Sequence, residues 1–351
     1  MRHIATLLGI LCVFFFQSCL IKPPAKIPDP WEEVFSDELI TPIRNMYNGI
    51  AQFYIISDDE FVRIDNNNEV TERRQIQLPS RFFGRPSLSE NIFVRTTRLD
   101  TAQVIEFHLT KVADEVEYIR VDDLEQQIGD LLSHLSKGRY TSAFNNDGTQ
   151  ILIPFENDSK NIYTFALFDI RLNGTNSAFE SINLRQTVEV DDQPVDPDGL
   201  HNVRFVGGNY YVTSTNGVSR ITPQGTIEHV TNQWIFDLFE QDNKIYGTGA
   251  GGGLFLSEDN GLSWNRDNAD NDPTQLIYVE HVNNEVFTQR FTGAPFSMAE
   301  DDLLKIKKVR LNEAFTDDLG AYNNIRYFFG KYYLGVQKQL YYTDELKLDE
   351  E

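Results

Sequence analysis

Cysteine is scarce in this chain of 351 residues, and its placement is informative. The two cysteines are Cys12, inside an apolar run, and Cys19, just after that run. Cleavage before Cys19 would leave the mature protein a single cysteine. An internal disulfide would then be excluded.

Basic residues are also few. Lys and Arg total 31 against 53 Asp and Glu, which gives a net charge of -22. This balance excludes binding to nucleic acids or to anionic lipid head groups by charge. An exported surface kept soluble by carboxylates explains the acidity, and an affinity for cations is the alternative.

Motifs of nucleophilic, metal or phosphate chemistry are missing. The six histidines show no H-x-x-x-H spacing, and neither G-x-S-x-G nor a P-loop occurs. The glycine-rich residues 247–253 lie between strand-like runs instead of opening a helix, so they do not form a phosphate cradle. The sequence therefore predicts no catalytic residues, no metal ligands and no cofactor.

Long hydrophobic runs are lacking except at the start of the chain. Residues 4–16 form an apolar stretch of 13 residues behind Met1-Arg2-His3. As a helix it would span about 20 Å, which is too short for a hydrocarbon core of about 30 Å. A basic start, a short apolar core and a small residue before a cleavage point predict a signal peptide over residues 1–18.

The end of this segment carries a family resemblance. Phe16-Gln17-Ser18-Cys19 resembles the loose lipobox of Bacteroidetes lipoproteins, although Phe16 and Gln17 depart from the commonest form. The resemblance implies cleavage before Cys19, fatty acylation of Cys19 and anchoring in a bilayer, which two or three acyl chains hold stably. Residues 19–33 contain four prolines in eight positions and predict an extended tether. Surface-exported lipoproteins of the group that this segment resembles often carry an acidic cluster directly after the cysteine. None follows Cys19, so the resemblance implies the periplasmic face of the outer membrane.

The remaining residues, 34–351, contain repeats. Turn signals such as Asp-Gly, Gly-Gly and Asn-Asn recur, each followed by an aromatic or apolar strand. Anchors taken in these strands are separated by 39, 59, 59, 35, 41 and 46 residues, and spacings of about 40–50 residues are typical of propeller blades. We therefore predict an all-β protein, a single β-propeller of seven four-stranded blades. The anchors are Tyr54, Phe93, Leu152, Tyr211, Tyr246, Phe287 and Tyr333.

The two long gaps predict insertions. Residues 122–138 place leucine and isoleucine on one helical face and predict one short inserted helix. Residues 186–200 predict an acidic loop. The last blade shows only three strand-like runs, so we expect a segment near residues 39–44 to supply its fourth strand and close the ring.

One segment resembles a known structural motif. Ser257-Glu258-Asp259-Asn260-Gly261-Leu262-Ser263-Trp264 matches S-x-D-x-G-x-[ST]-W, the Asp-box of BNR-repeat and sialidase-like propellers. The resemblance implies a structural turn in which Ser257, Asp259, Gly261, Ser263 and Trp264 have no catalytic role. Sialidase activity is not implied: those enzymes also need an arginine triad, an early Arg-Ile-Pro and a Tyr–Glu pair, Phe83-Gly84-Arg85-Pro86 is not that arginine motif, and the sequence has only one Asp-box.

Binding residues can be suggested only at the channel mouth. Asp196 and Asp198 precede His201, which begins a strand, and these three side chains could meet a ligand there; a loop histidine without function is the simpler interpretation. Residues 189–198 and 267–272 are acidic runs that could hold Ca²⁺, but neither has EF-hand spacing, and solvated turns explain both.

These observations support two functional hypotheses. The first is a lipid-anchored binding or scaffold module of the cell envelope, whose partner is an envelope protein or a glycan. The alternative is a carbohydrate-active hydrolase or lyase that uses two carboxylates gathered at the channel mouth.

Overall fold

The computed structural model describes residues 31–49, 52–57, 59–75, 83–85, 92–99, 102–109, 116–120, 123–124, 134–135, 139–157, 162–194, 200–249, 254–266, 276–283, 285–290, 297–299, 306–307, 309–310, 322–346 and 349–350. Cys12 and Cys19, the predicted signal peptide and most of the predicted tether lie outside these residues. Among the described residues, no helix is long and apolar enough to cross a membrane.

Strands dominate the described chain. The strands of its first half are β1 (Glu32–Glu33), β2 (Ile43–Asn48), β3 (Gln52–Ser57), β4 (Glu60–Asp65), β5 (Val70–Gln75), β6 (Phe83–Arg85), β7 (Ile92–Leu99), β8 (Ala102–Leu109), β9 (Val116–Arg120), β10 (His134–Leu135), β11 (Arg139–Phe144), β12 (Gln150–Asn157), β13 (Ile162–Leu172) and β14 (Phe179–Pro194).

The second half continues the pattern with shorter strands. They are β15 (Leu200–Val206), β16 (Asn209–Ser214), β17 (Gly217–Ile221), β18 (Ile227–Thr231), β19 (Ile235–Gln241), β20 (Lys244–Gly249), β21 (Leu254–Ser257), β22 (Asn265–Arg266), β23 (Leu276–Val282), β24 (Glu285–Arg290), β25 (Ser297–Ala299), β26 (Ile306–Lys307), β27 (Val309–Arg310), β28 (Tyr322–Phe328), β29 (Lys331–Val336), β30 (Gln339–Thr343) and β31 (Asp349–Glu350).

Within the described residues these strands build seven blades. Five of the blades are separate four-stranded antiparallel sheets, and the other two are four-stranded halves of one nine-stranded sheet, joined where β6 pairs with β11 in parallel and widened by β10 beside β12. Blade 1 is β2–β5, blade 2 is β6–β9, blade 3 is β11–β14, blade 4 is β15–β18, blade 5 is β19–β22 and blade 6 is β23–β26. Blade 7 is β28, β29 and β30 with β1 as its outer strand. The first strand of each blade is its inner strand; from blade 2 to blade 7 the inner strands of successive blades contact one another, and β28 of blade 7 contacts β2 of blade 1. The predicted propeller is confirmed.

Each predicted anchor lies on the second strand of its blade, and the packing explains why these strands are so apolar. In β16, Tyr210 and Val212 face blade 3 while Tyr211 faces blade 5. Successive side chains of a strand point to opposite faces, and here both faces are covered by a neighbouring blade. The described core therefore divides into seven apolar clusters, one at each interface between blades.

The ring is closed by a strand that the sequence analysis misplaced. Glu32 and Glu33 of β1 pair with Tyr342 and Tyr341 of β30, and Trp31 is buried between blades 6 and 7. The fourth strand of blade 7 is therefore β1. Residues 39–42 are not in a strand, and Ile43 and Arg44 begin β2, the inner strand of blade 1. Residues 31–33, assigned above to the tether, take part in the fold. Two paired residues beside a buried tryptophan make a closure too short to show as a strand pattern in the sequence.

Both predicted insertions also differ from expectation. Asp123 and Leu124 are helical and Leu124 is buried, but His134–Leu135 form β10 against β12, so the predicted helix does not extend to residue 138. Gln186–Pro194 belong to the long outer strand β14 and not to an acidic loop. Val188 and Val190 pack inward while Thr187 and Glu189 face solvent, so the acidic character marks the outer face of a strand.

Candidate functional site

A β-bulge recurs at the same place in five of the described inner strands. In β2, Ile43 pairs with Ser57 and Asn45 with Ile56, which leaves Arg44 as the extra residue. The pairings of β15, β19, β23 and β28 shift in the same way. Bulges re-aim side chains and are frequent beside binding sites. We call the five bulged residues the channel rim: Arg44, His201, Phe236, Ile277 and Asn323.

The residue after the bulge supplies a hydrogen bond that the interrupted ladder lacks. In β2, Asn45 Oδ1 accepts the N–H of Met46 at 2.9 Å, and in β19, Asp237 Oδ1 accepts the N–H of Leu238 at 2.8 Å. Thr248 Oγ1, opposite Asp237 in β20, accepts the N–H of Asp237 at 3.2 Å. Buried backbone groups must be satisfied, so these polar side chains hold the bulges in place.

Arg204 of blade 4 links three blades beneath the rim. Its Nε and Nη2 donate to the two carboxylate oxygens of Asp237 in blade 5, at 2.7 and 2.8 Å, and Nη2 also donates to the carbonyl of Val279 in blade 6. The N–H of Val279 returns a bond to Asp237 Oδ2 at 2.8 Å. Such forked pairing is specific to guanidinium and carboxylate groups.

Arg326 of blade 7 makes a second link of the same kind. Its Nη1 donates to Glu280 Oε2 of blade 6 at 2.6 Å, and its Nε donates to the carbonyl of Met46 in blade 1 at 3.2 Å. Both side chains of the pair are buried. The two arginines thus connect the inner strands of blades 4, 5, 6, 7 and 1.

This arrangement determines what the two carboxylates can do. Asp237 is fully buried and accepts hydrogen bonds from Arg204, Leu238 and Val279, while Glu280 is ion-paired with Arg326. A general acid needs a carboxyl group whose proton is available to substrate. Among the described residues, the inner-strand carboxylates Asp237 and Glu280 therefore serve as links between blades.

Residues 257–264 form a closed turn between β21 and β22 of blade 5. Asp259 accepts three hydrogen bonds: from Ser257 Oγ at 2.9 Å, from the N–H of Ser263 at 2.8 Å and from Ser263 Oγ at 2.6 Å. The bonds from Ser263 lower the pKa of Asp259 to about 2. Trp264 Nε1 donates to the carbonyl of Gly261 at 3.0 Å and completes the turn.

The same turn is docked on blade 4. Tyr211 Oη donates to the carbonyl of Asn260 at 2.6 Å, and Arg220 Nη1 donates to it at 3.3 Å. Gly261 has a φ of +83°, and a Cβ there would lie 2.5 Å from Tyr211 Oη, so only glycine suits both its backbone and its neighbour. Burial raises the pKa of Tyr211 to about 12, and the phenol remains a hydrogen-bond donor at neutral pH.

Three other blades form similar hydrogen bonds in the turn between their third and fourth strands. Asp65 of blade 1, Asn173 of blade 3 and Thr222 of blade 4 each accept, through a side-chain oxygen, the N–H of the residue four positions on. Asp259 does the same with Ser263. A polar side chain of this kind satisfies the backbone of a tight turn locally. The 257–264 turn is therefore the most elaborate version of a device repeated around the ring.

The structure locates one of the three suggested ligand residues. His201 is the bulged residue of β15 and so belongs to the channel rim. Asp196 and Asp198 lie outside the described residues, as do residues 267–272. No group of three or more His, Cys, Asp or Glu side chains suited to a metal occurs in the part of the chain that is described.

The arginine links were missed at the sequence level. Arg204 and Arg326 stand at the same position in their inner strands, three residues after the bulged residue. The matching runs His201-Asn202-Val203-Arg204 and Asn323-Asn324-Ile325-Arg326 carried the signal. Their acidic partners come from other blades with no fixed spacing, so no sequence motif joins the pairs.

No protein-family model matches this chain, and no curated protein matches it. Solved β-propellers do. YCF48 bound to D1 peptide has a TM-score of 0.56 at 13% identity, covering 92% of this chain and 98% of that one. The propeller domain of the Trilobed protease from Pyrococcus furiosus, described as having an open velcro topology, has a TM-score of 0.53 at 11% identity, with 89% and 96% covered.

A third solved structure is PorZ, a bacterial surface component of the type-IX secretion system of Porphyromonas gingivalis. It has a TM-score of 0.50 at 8% identity; the match covers 92% of this chain and 39% of PorZ, so the chain spans well under half of that protein. At these identities the similarities show the fold alone.

Proposed function

We propose that this protein is a lipid-anchored β-propeller of the bacterial cell envelope that acts as a binding or scaffold module. The observation that carries the proposal is the use of Asp237 and Glu280 as partners of Arg204 and Arg326. These groups stabilise a rigid ring, so a ligand would be bound by the channel rim and its loops. Binding residues commonly lie on loops that a rigid scaffold positions.

The similar structures agree with such a role. YCF48 is a propeller of nearly the same length whose structure was solved with a peptide bound, and PorZ is a bacterial surface component. A membrane anchor at Cys19 would place this ring close to a bilayer, with the proline-rich residues 19–30 as the spacer. Cys19 would then be thioether-linked to lipid and take no part in chemistry, and residues 257–264 would be an Asp-box of structural function.

The anchor is tested by substitution of the two cysteines. Cys19→Ala should move the protein from the membrane fraction to the soluble fraction, because the acylation site is lost. Cys12→Ala, a matched change inside the apolar run, should leave it in the membrane fraction. Equal membrane retention of both variants would refute the anchor.

The binding role is tested with the intact protein. Cross-linking in envelope preparations, with Cys19 present, should recover the same partner in independent experiments. Failure to recover any reproducible partner, protein or glycan, would contradict the module hypothesis.

A further inference from the structure

We propose that Trp234, with the amides of Asn216, Asn232 and Gln233, forms a binding platform for a neutral oligosaccharide at the channel rim. This inference rests on the proposed binding function and names the class of its ligand. We call these four residues the Trp234 platform.

The position of Trp234 places it at the mouth of the channel. It directly precedes Ile235, the first residue of the inner strand β19, and its ring centroid lies 5.8 Å from that of the rim residue Phe236. Phe236 is buried, whereas 47% of Trp234 is exposed. The indole therefore stands out from the rim and packs against Phe236.

The backbone holds Trp234 in this exposed position. The N–H of Gln233 donates to Thr231 Oγ1 at 3.1 Å, and the N–H of Ile235 donates to the carbonyl of Gln233 at 2.9 Å. Gly217 of the adjacent turn has a φ of +117°, and a Cβ there would lie 2.8 Å from Asn232 Cα. A fixed aromatic side chain loses little conformational entropy on binding, which favours affinity.

The chemistry around the indole indicates an uncharged ligand. Residues 215–217 and 231–236 contain no Asp, Glu, Lys or Arg, although 24% of the chain is charged. Asn216, Asn232 and Gln233 are exposed, and carboxamides carry both donor and acceptor atoms. Asn232 Oδ1 lies 2.7 Å from His229 Nε2, so Asn232 would meet a ligand through its NH₂ group. A charged ligand would find no carboxylate, ammonium or guanidinium group in these two segments, which the imidazole of His229 borders through its bond to Asn232. Hydroxyl groups match amides in both directions.

A pyranose ring satisfies these conditions. Its C–H face is weakly positive and apolar, and the face of an indole ring is negative, so the two stack. Its hydroxyl groups lie at the edge of the ring, where neighbouring amides can reach them. An aromatic surface with a few orienting polar groups is the usual composition of a small-ligand site.

Trp234 also provides the measurement. The chain has three tryptophans; Trp31 is buried, and Trp264 is partly buried with its Nε1 bonded to Gly261. Acrylamide quenching of the full chain therefore reports mainly on Trp234. Cellohexaose, maltohexaose and laminarihexaose, at millimolar concentrations, are the probes. We expect at least one of them to reduce the quenching constant by about half, with the same affinity by calorimetry.

Substitutions separate stacking from folding. Trp234→Ala should weaken the binding of that hexasaccharide about tenfold or more, and Trp234→Phe should restore most of it because an aromatic face remains. Leu262→Ala removes an equally exposed apolar side chain from the opposite end of blade 5 and should change neither affinity nor quenching. Unchanged thermal unfolding of all three variants would confirm that they are folded.

The outcomes distinguish this inference from the proposed function. If no hexasaccharide protects Trp234, the glycan inference is overturned. If Trp234→Ala instead abolishes recovery of an envelope protein, the platform binds protein; the glycan inference is then wrong, and the binding module stands. Only the absence of any reproducible partner would contradict the module itself.

Discussion

Burial and a forked geometry distinguish the ion pair of Arg204 from that of Arg185, and a pair of substitutions can measure their combined effect. Arg204 Nε lies 2.7 Å from Asp237 Oδ1, and Arg185 Nε lies 2.7 Å from Asp169 Oδ2. The Asp237 side chain is fully buried, whereas the side chains of Arg185 and Asp169 are 39% and 40% exposed. In both pairs an arginine Nε contacts an aspartate oxygen, but the Asp237 carboxylate is buried and the Asp169 carboxylate is exposed.

We expect Arg204→Ala to lower the free energy of unfolding by about 3–5 kcal/mol, because a buried carboxylate loses its counter-charge. Arg185→Ala should cost at most about 1 kcal/mol, because water replaces the guanidinium of an exposed pair. Hydrogen bonds from Leu238 and Val279 to Asp237 remain in the Arg204 variant, so its loss should fall at the lower end of the range.

Urea unfolding followed by circular dichroism measures both variants. The double variant Arg204→Met with Asp237→Leu should recover part of the loss, since removing both charges leaves no buried ion. A difference below about 1 kcal/mol between Arg204→Ala and Arg185→Ala would refute the argument that these inner-strand charges stabilise the ring.

Two further predictions concern ring closure and pH. Trp31→Ala should lower the free energy of unfolding by about 3–5 kcal/mol in a thermal unfolding assay, because it leaves a large cavity between blades 6 and 7. In the same assay Trp234→Ala should change the free energy of unfolding by less than about 0.5 kcal/mol. Equal effects of the two substitutions would contradict the role of β1 in closure. The pKa of Asp259 is about 2 in the folded protein, below its unfolded value near 4, so its stabilising effect is present above pH 4 and is lost as the pH falls towards 2. The stability difference between the wild type and Asp259→Asn should therefore shrink over that interval in acid titrations, and a constant difference would rule the explanation out.

The positions of the second strands could be predicted from the sequence because their signals are local. A turn such as Gly207-Gly208 requires positive φ angles, both of which are observed, and the residues that follow it are apolar because both faces of the strand are covered. Neither signal depends on residues far along the chain. The sequence alone therefore determined the number of blades and one strand in each.

The acidic outer strand shows how the same reasoning failed. Glu189 and its neighbours suggested a loop by composition, yet Val188 and Val190 alternate with them and pack in the apolar cluster between blades 3 and 4. Alternation with period two was the decisive pattern, and the acidic residues concealed it.

The closure of the ring and the site were decided only by the tertiary structure. Glu32 pairs with Tyr342 across 310 residues, and Arg204 reaches Asp237 and Val279 in the next two blades. Pairings over such distances depend on the curvature of the complete ring and on bulges that shift the register of five inner strands. The sequence specified strands and turns because local backbone preferences and burial specify them. Which strand closes the ring, and which charges meet at its centre, followed from geometry that exists only once all seven blades are in place.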